Sequence, residues 1–323
     1  MLLVLTTSMD VTADVLFERF GRLAFRLNLD LWRDYLLVLR PNRWEIANPA
    51  GLKITSESAT HCFWWKAQLS RAAKRQQAPA VQQDDSYLAA EVRYVFHELY
   101  GWFLRRGLVV GNPPDFHNRL GKLAILEMAS SYFRTPCSAA GWNLPQQIEE
   151  FRGRGVIAKS LSSEPFSDDR VLYTTSVGYD GIDRRFPWFL QTKVDALQDV
   201  TIVVCGGQFF AFARSRKDLD GLDWRRTVGD EDPEQTRWHH RVLSDAERAS
   251  LRGLCRELGV NWGRFDFLED EDGLVFLEYN ANGQWGFLDF WGRNGLTDAV
   301  VSYLLTAPAA VMRGALRMPE MGL

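Results

Sequence analysis

Apolar and polar positions follow a β-hairpin pattern between residues 264 and 280. Two mostly apolar segments, 264–268 and 274–280, flank the short acidic connection 269–273, which ends in glycine. Apolar runs of this length around a polar, glycine-containing connection are typical of two antiparallel strands. The pattern therefore predicts a hairpin whose five-residue loop closes on Leu268 and Leu274.

Three oxygen-bearing side chains, Asp266, Glu278 and Asn280, lie within these apolar strands. Side chains alternate between the faces of a strand, so Glu278 and Asn280 point the same way. In the predicted register Asp266 lies opposite Phe276 and diagonal to Glu278, on that same face. Carboxylate and amide oxygens together favour Mg²⁺ over zinc or copper. The alternative interpretation is that Asp266 is an edge-strand charge and Glu278 a strand-end charge.

The segment before residue 108 has the strand and helix pattern of an α/β domain. The predicted elements are a buried strand at 2–6, a helix over 10–20, strand-like runs at 25–32 and 34–39, a hairpin over 44–55 and a helix over 87–106. The aromatic segment 62–69 either packs inside this domain or lies at a surface between domains. Residues 70–85 are basic, then rich in glutamine, then acidic, and predict an exposed connection.

The middle of the chain contains two lysines at positions that need an explanation. Lys122 lies in the first turn of a helix predicted to be capped by Asn118 and to run to about residue 132. Lys159 lies in an apolar strand predicted over 153–161. Cations are unfavourable at a helix N-terminus, and an isolated charge in an apolar strand is costly. A bound phosphate would resolve the first conflict; alternatively, both lysines extend to solvent.

The remaining pattern predicts strands, one clean hairpin and two helices. They are strands at 108–114, 171–177 and 186–194, a hairpin of 201–205 and 208–214 around Gly206-Gly207, a helix that a Ser244–Glu247 capping box opens and Gly259 closes, and a last helix over 298–306. In the hairpin, Cys205 pairs with Gln208, and Asp199 lies near Arg214.

These elements predict a mixed α/β chain of three parts, which its 323 residues and 46% hydrophobic content can support. The parts are an N-terminal α/β domain at 1–107, a small lobe with the two lysines at 108–190, and a mixed lobe with the acidic ligands at 191–323. Two lysines in one lobe and three oxygen ligands in the next describe a nucleotide clamped between lobes, with Mg²⁺ on its phosphates. The chain has neither a GxxxxGK(S/T) loop nor a GxGxxG unit, which excludes a P-loop enzyme and a usual dinucleotide binder.

Composition narrows the range of partners and compartments. The net charge is −3, so nothing requires a nucleic acid or an anionic membrane as partner. The four cysteines lie far apart without a CxxC pair, which argues against a zinc site or a disulfide framework and fits a reducing cytoplasm. We expect neither a signal peptide nor a membrane span. The pair His239-His240 lies in a charged segment and is interpreted as part of an exposed loop.

From about residue 108 onward, the chain contains a series of different short motifs. They are Gly111-Asn112-Pro113, Asn118, Lys122, Tyr132-Phe133-Arg134-Thr135-Pro136, Lys159, 191–194, 199–215, Asp223-Trp224-Arg225, Phe265-Asp266-Phe267 and Leu277-Glu278-Tyr279-Asn280-Ala281-Asn282-Gly283-Gln284-Trp285. With these motifs the chain resembles the ATP-grasp ligases, and most closely the peptide-cyclising ligases of the microviridin type, also called graspetide synthetases. The Asn-Gly-Gln-Trp ending is the motif most specific to that branch.

The resemblance implies an ATP-grasp fold, in which an N-terminal pre-ATP-grasp α/β domain precedes two lobes that clamp the nucleotide. It also implies that Lys122 and Lys159 hold ATP phosphates. The backbone that reads the adenine edge would be the hinge between the lobes, formed by Gln191, Thr192, Lys193 and Val194.

The resemblance further implies that Asp266, Glu278 and Asn280 ligate Mg²⁺. Arg214 or Arg225 would hold the substrate carboxylate or the transferring phosphoryl group, because a guanidinium presents a bidentate fork. For Arg214 the alternative is a cross-strand pair with Asp199.

The reaction of these ligases converts a carboxylate into an acyl phosphate, which a hydroxyl or an amine then attacks to give an ester or an amide. The resemblance therefore implies a ribosomal precursor peptide with leader and core as partner. Because such ligases often pair, it also suggests a homodimer, and the cysteine usage already favours a cytoplasmic location. Two alternatives stay open: an ATP-grasp ligase for a free amino acid or small acid, and a catalytically silent ATP-grasp-like protein that binds peptide or nucleotide.

The chain departs from the usual motifs of these ligases at four places. The hinge reads Gln191-Thr192 in place of Gln-Glu, Thr201 replaces an arginine, and Ala281 replaces the proline of Asn-Pro-Asn-Gly. The loop after Lys159 lacks glycine. None of these departures removes a predicted metal ligand.

Overall fold

The fold is described from a computed structural model over residues 1–67, 82–142, 151, 155–161, 174–177, 186–217, 238–289 and 291–306. The chain divides into two compact units. Unit 1 comprises Met1–Pro114 together with Asn282–Leu323, and unit 2 comprises Asp115–Ala281. The segment from Asn282 therefore returns to the N-terminal unit, which the order of elements in the sequence does not indicate. The division into three parts stays a prediction.

Unit 1 is built on a parallel sheet and a smaller antiparallel one. Its elements are β1 (Leu2–Thr6), α1 (Val11–Phe20), β2 (Ala24–Asn28), β3 (Leu36–Leu39), β4 (Trp44–Ala47), β5 (Lys53–Thr55), β6 (His61–Trp64), α2 (Gln82–Arg105), β7 (Val109–Val110) and α6 (Leu296–Thr306), with 3₁₀ helices at Gly21–Leu23, Leu29–Asp34 and Gly286–Leu288. The parallel sheet has the order β2-β1-β6-β7, and β3-β4-β5 form the antiparallel sheet.

The parallel sheet forms because β1 is apolar on both faces and is fully buried. Residues on one face of the sheet, including Leu3 and Leu5, pack with the α2 residues Phe96 and Phe103. The carboxylate of Asp10 accepts a hydrogen bond from the Ala13 NH at 2.8 Å and so caps α1. The strand, helix and hairpin predicted over 2–6, 10–20 and 44–55 are confirmed.

Two predictions in unit 1 need correction. The strand predicted over 25–32 ends at Asn28, because the carboxylate of Asp30 accepts a hydrogen bond from the Ser8 NH at 2.9 Å and the chain turns into a 3₁₀ helix there. The helix predicted from residue 87 begins at Gln82. In the aromatic segment, Cys62 and Trp64 belong to the buried core of unit 1, which confirms packing inside the unit. Most of the connection predicted at 70–85 lies outside the described residues.

Unit 2 contains two sheets and three helices over its described residues. Its elements are α3 (Phe116–Arg119), α4 (Lys122–Ser130), β8 (Ser138–Gly141), β9 (Val156–Lys159), β10 (Thr175–Ser176), β11 (Trp188–Thr192), β12 (Gln198–Cys205), β13 (Gln208–Ser215), β14 (His239–Arg241), α5 (Asp245–Leu258), β15 (Trp262–Asp270) and β16 (Gly273–Asn280). The order is β10-β9-β11-β8 in the four-stranded sheet and β14-β13-β12-β15-β16 in the five-stranded sheet.

The five-stranded sheet has one apolar and one polar face. Residues of its apolar face, such as Ile202 and Phe265, form a core with Leu126 of α4 and Leu254 of α5. The predicted capping box opens α5, and Gly259 closes it in the left-handed conformation. We call the opposite side, on which Asp266 lies, the polar face. Because helices cover the apolar face, the chemistry of this sheet is confined to the polar face.

The β12–β13 hairpin has the predicted register. Cys205 pairs with Gln208 and Asp199 with Arg214. Gly206 and Gly207 have φ values of 59° and 85°, which a two-residue hairpin turn of this type requires.

The predicted helix around Lys122 is interrupted. The chain forms the short helix α3, breaks at Leu120, and starts α4 with Gly121 at the N-cap. The prediction of Asn118 as the cap is therefore wrong: Asn118 lies inside α3 and not before α4. Lys122 nevertheless occupies the first position of a helix, as predicted. No helix in the described ranges combines the length and the apolar character needed to cross a membrane.

Candidate functional site

The register of the β15–β16 hairpin differs from the prediction. The turn contains two residues, with Asp270 opposite Gly273, so Phe267 pairs with Phe276. A β-bulge follows, and it places Asp266 opposite Glu278 and moves Phe276 to the apolar face. The five-residue loop and the pairing of Asp266 with Phe276 are therefore wrong, although the hairpin itself is confirmed.

The acidic residues of the predicted loop lie in the strand because cations from other elements bind them. Arg241 Nη2 lies 2.5 Å from Glu269 Oε1, and Arg134 Nη1 donates to Asp270 Oδ2 at 3.0 Å. These ion pairs stabilise strand conformation in residues whose composition is typical of a turn. The bulge then adds one residue to β16, which brings the two carboxylates face to face.

The three predicted metal ligands converge on the polar face. Asn280 Nδ2 donates to Asp266 Oδ2 at 2.7 Å and to Glu278 Oε1 at 3.2 Å. In the described part of the chain, no group of three or more His, Cys, Asp or Glu side chains is placed to hold a metal ion. An ion on this face would therefore have two carboxylates and one amide from the protein.

Both predicted lysines lie in unit 2 near these carboxylates. Lys122 Nζ is 3.9 Å from Glu278 Oε2 and donates to the Ser160 carbonyl at 2.8 Å. Lys159 is the last residue of β9. Burial raises the pKa of the Glu278 carboxyl, but the ammonium groups of Lys122 and Lys159 outweigh burial and hold that pKa below its usual value. Glu278 is thus an anion within the electrostatic reach of two cations.

Two further residues contact Asp266 and were not predicted as part of the site. Thr201 lies opposite Asp266 on β12 and donates to its Oδ1 at 2.8 Å. Arg264 Nη2 lies 2.9 Å from Asp266 Oδ2. Strand alternation could have revealed Arg264, which stands two residues before Asp266. From the sequence, Thr201 stands out only as a departure from the usual motif, and its contact with Asp266 follows from the pairing of β12 with β15.

His117 is a third addition. Its Nε2 accepts a hydrogen bond from the Ala281 NH at 3.4 Å, one residue after Asn280. Partial desolvation lowers the pKa of His117, the Glu278 carboxylate raises it, and the Lys122 ammonium lowers it. The net direction is downward, so the ring is neutral at neutral pH.

The predicted hinge is the end of β11, the strand between β8 and β9. Gln191 is 0% exposed and donates from Nε2 to Ser138 Oγ at 2.9 Å. The NH groups of Thr192 and Lys193 already donate to Cys137 and Gly155 carbonyls. Of the three NH groups of residues 192–194, that of Val194 makes no backbone hydrogen bond within the described residues.

Of the two arginines predicted to bind the substrate carboxylate or the phosphoryl group, only Arg214 lies in the described part of the chain. Arg214 lies in β13 directly opposite Asp199 and is 3% exposed. Asp199 Oδ1 forms an ion pair with Arg216 Nη1 at 2.5 Å. The partner that the sequence suggested for Asp199 is Arg214. Arg225 lies outside the described residues. His239 and His240 are exposed as predicted, although they form the edge strand β14 and not a loop.

Comparison with solved structures identifies the fold. No protein-family model matches the chain, and neither does any curated protein. The macrocyclase MdnC of Microcystis aeruginosa MRC, bound with precursor peptide MdnA, is similar at 18% identity and TM-score 0.79, over 94% of this chain and 99% of that one. A RiPP-associated ATP-grasp ligase of Chryseobacterium gregarium, in complex with ADP and a leader and core peptide, is similar at 19% identity and TM-score 0.76, over 94% and 96%.

A third similar structure is the ATP-grasp ligase PsnB, complexed with a phosphomimetic variant of minimal precursor, Mg and ADP. It is 14% identical with a TM-score of 0.68, over 94% of this chain and 97% of that one. All three are ATP-grasp ligases or macrocyclases that match nearly the full length of both chains. The mixed α/β chain therefore has the ATP-grasp fold that its motifs predicted.

Proposed function

We propose that this protein is an ATP- and Mg²⁺-dependent ligase that joins a peptide carboxylate to a hydroxyl or an amine. The observation that carries the proposal is the placement of Asp266 and Glu278 face to face on β15 and β16, with Lys122 Nζ 3.9 Å from Glu278. Opposed carboxylates next to lysines suit a metal–phosphate group, since the metal binds the carboxylates and the ammonium groups bind the phosphates.

The donor set fits Mg²⁺. This ion is usually bound by one or two protein carboxylates together with substrate phosphates, and Asp266 and Glu278 supply two. Asn280 would be the third ligand, through Oδ1 after rotation of its terminal amide. Bound there, Mg²⁺ would supply charge neutralisation for phosphoryl transfer. Lys122 and Lys159 would hold the phosphates, and the Val194 NH with the neighbouring hinge carbonyls would hold the adenine.

Arg264 and Asn280 stabilise the two carboxylates when no cation is bound. Arg264 Nη2 and Asn280 Nδ2 both contact Asp266 Oδ2, at 2.9 Å and 2.7 Å. Two adjacent carboxylates would otherwise repel each other. These contacts therefore offset the repulsion between Asp266 and Glu278 in the free protein.

The proposed reaction has two steps. The terminal phosphoryl group of ATP passes to a side-chain carboxylate of the peptide, which gives an acyl phosphate and ADP. A hydroxyl or amine of the same peptide then attacks the acyl carbon, loses its proton and expels inorganic phosphate, so an ester or amide forms. The protein contributes positioning and charge stabilisation. Arg214 and Arg225 are the candidates for binding the carboxylate or the phosphoryl group.

The similar structures support a substrate class. MdnC is bound with a precursor peptide, and the Chryseobacterium ligase with ADP and a leader and core peptide. We infer that this chain also acts on a ribosomally made precursor peptide, as its Asn282-Gly283-Gln284-Trp285 motif suggests. We place the reaction in the cytoplasm, where ATP is made, and expect a homodimer.

The experiment uses the purified full-length protein, ATP, Mg²⁺ and the short peptide encoded next to its gene. We expect the peptide to lose the mass of one water per linkage while ADP accumulates. ADP formation on free amino acids with an unchanged peptide would favour a small-acid ligase instead. Binding of peptide and nucleotide without turnover would contradict the proposal and indicate a silent ATP-grasp protein.

A further inference from the structure

Thr201 lies next to the proposed metal ligands, on the most firmly held strand of their sheet. Its strand, β12, is the central one of five and is hydrogen-bonded to β13 on one side and to β15 on the other. Thr201 is 2% exposed and stands directly opposite Asp266. Hydrogen-bonded strands on both sides fix its backbone, and support of this kind holds a functional side chain in one place.

The hydroxyl of Thr201 is directed at the Asp266 carboxylate. Thr201 Oγ1 lies 2.8 Å from Asp266 Oδ1 and 3.5 Å from the carbonyl oxygen of Phe265. A hydroxyl has one proton to donate, and it goes to the carboxylate because that oxygen is closer and charged. Rotation about χ1 is restricted in a β-branched side chain, so the donor is oriented before any ion binds.

Each oxygen of the Asp266 carboxylate has its own donors. Thr201 donates to Oδ1, whereas Arg264 Nη2 and Asn280 Nδ2 lie 2.9 Å and 2.7 Å from Oδ2. Over the described ranges of the chain, Thr201 is the one donor to Oδ1. Donors on both oxygens fix the rotation of the carboxylate plane. Without the hydroxyl, that plane could turn about the contacts that remain at Oδ2.

A carboxylate of fixed orientation favours a small ion with strict geometry. Mg²⁺ requires near-ideal octahedral coordination, whereas Ca²⁺ takes more oxygens in flexible arrangements and binds a carboxylate through one oxygen or both. Selectivity between these two ions depends on ligand number and flexibility. Because Thr201 holds Oδ1, Asp266 cannot turn to offer both oxygens to a larger ion without breaking a hydrogen bond.

We propose that Thr201 is a positioning residue that makes the site selective for Mg²⁺ over Ca²⁺, since its hydroxyl holds Asp266 Oδ1. It acts through Asp266. The inference rests on the proposed function, because the ion is the one assigned to Asp266, Glu278 and Asn280. Thr201 is also one of the positions at which the chain departs from the usual motifs of the ligases it resembles, so this role belongs to the chain's own site.

The test measures Mg²⁺ and Ca²⁺ binding to the full-length protein in the presence of ADP. Each ion displaces bound Mn²⁺, and the electron paramagnetic resonance signal of the released Mn²⁺ gives both dissociation constants. Thr201→Val keeps the shape of the side chain but lacks the hydroxyl. We expect Mg²⁺ to bind about tenfold more weakly, as when a hydrogen-bond partner of a metal ligand is lost. Ca²⁺ binding should weaken by less than about threefold, because Ca²⁺ tolerates varied geometry.

A second pair of variants removes the same hydroxyl from a smaller side chain. Thr201→Ser keeps the donor and should keep the preference for Mg²⁺, whereas Thr201→Ala should lose it. This pair answers the question even if Thr201→Val does not fold, and chemical denaturation shows which variants are folded.

Thr6→Val is the matched control. Thr6 is 0% exposed in β1 of unit 1, and its Oγ1 has no hydrogen-bond partner within the described part of the chain. The substitution therefore makes the same change in a buried strand without removing a hydrogen bond. Both dissociation constants should equal those of the unchanged protein.

Three results would overturn the proposal. They are an unchanged Mg²⁺ affinity in Thr201→Val, equal losses for Mg²⁺ and Ca²⁺, which general damage to the sheet would cause, and a Thr201→Ser variant that behaves like Thr201→Ala. If the unchanged protein binds Mn²⁺ with ADP and one of these results is found, only this inference fails. If the unchanged protein does not bind Mn²⁺ with ADP, the proposed function fails and this inference fails with it.

Discussion

The two units stabilise their carboxylates with different kinds of partner. On the polar face of unit 2, the carboxylates of Asp266 and Glu278 are stabilised by full positive charges, with Arg264 2.9 Å and Lys122 3.9 Å away. In unit 1, the buried carboxylate of Asp10 is stabilised by neutral NH groups of Ala13 and Gln284. Charged networks are more sensitive to the loss of one member, because the remaining charges are left unbalanced.

The difference also separates two tasks. A site that must bind both a cation and phosphates needs dense, opposed charge, and unit 2 provides it on adjacent strands. The surroundings of Asp10 in unit 1 are held by neutral hydrogen bonds and serve to position chain segments against one another. Removing one charged group should therefore have a large effect in unit 2 and a graded effect in unit 1.

The largest effect is expected from Glu278→Gln. The substitution keeps the shape of the side chain but removes a proposed metal ligand, so ADP formation should fall by about 100-fold or more. The measurement is a steady-state ADP assay with the precursor peptide. The matched control is Glu271→Gln in the exposed turn of the same hairpin, which should keep full activity. Normal turnover in Glu278→Gln would exclude this carboxylate from the site.

Gly263→Ala should damage the hairpin itself. Gly263 has φ of 132°, and a Cβ there would lie 2.5 Å from the hydroxyl oxygen of Tyr279. We expect unfolding free energy to fall by about 2–4 kcal/mol, measured by chemical denaturation.

Gly51→Ala is the control for backbone strain alone. Gly51 has φ of 79°, and its Cβ would meet nothing within 4 Å. Its cost should be about 1 kcal/mol. Equal costs for the two variants would show that the contact with Tyr279 does not constrain β15.

Glu247→Gln tests a charge in the first turn of α5 that pairs with Arg241 of β14 and has no proposed role in catalysis. Burial raises the pKa of the Glu247 carboxyl, but hydrogen bonds from Arg241 and Ser244 outweigh burial and leave the pKa below its usual value. Because its pKa is lower in the folded protein, the Glu247 carboxylate stabilises the fold at pH values above its unfolded-state pKa of about 4.3. This stabilisation is lost as the pH falls below that value toward the folded-state pKa.

The variant should therefore cost about 1–2 kcal/mol at pH 7. The cost should shrink as pH falls below about 4.3. Urea denaturation of both proteins at several pH values measures it. A cost that stays constant as the pH falls would mean that the carboxylate charge is not the source of the stability.

The smallest effect is expected from Asp298→Asn in unit 1. Asp298 forms an ion pair with Arg19 at 3.1 Å, and the two side chains are 67% and 45% exposed. Exposed pairs of this kind contribute little, so the change in unfolding free energy should stay below about 0.5 kcal/mol. A loss comparable to that of Glu247→Gln would show that exposed charges also matter in unit 1.

Strand alternation and local motifs predicted the parts of the site that lie close together in the sequence. Glu278 and Asn280 share a face because they are two residues apart in one strand, and the capping box of α5 needs only Ser244 and Glu247. The bulge after Phe276 was not predicted, because strand alternation assumes a regular register and no residue type in either strand marks where that register shifts.

The contacts of Gln284 in unit 1 could not be predicted for a related reason. Hydrogen bonds join Asp10 and Thr12 to Gln284, more than 270 residues later in the chain. Nothing local marks these residues as neighbours, since each occurs in a pattern that fits an ordinary cap or turn. The motif around Gln284 was noticed from the sequence, but its contacts follow only from the return of the chain to unit 1 after Ala281.

The central claim is that the β15–β16 hairpin holds a divalent metal together with a nucleotide. Titration of Mn²⁺ in place of Mg²⁺, in the presence of ADP, tests it directly through the electron paramagnetic resonance signal of free Mn²⁺. We predict tight binding to the unchanged protein and to a double variant of the turn, Glu271→Gln with Asp272→Asn. Binding should weaken by about 100-fold in Asp266→Asn with Glu278→Gln. Equal binding by both double variants would contradict the account.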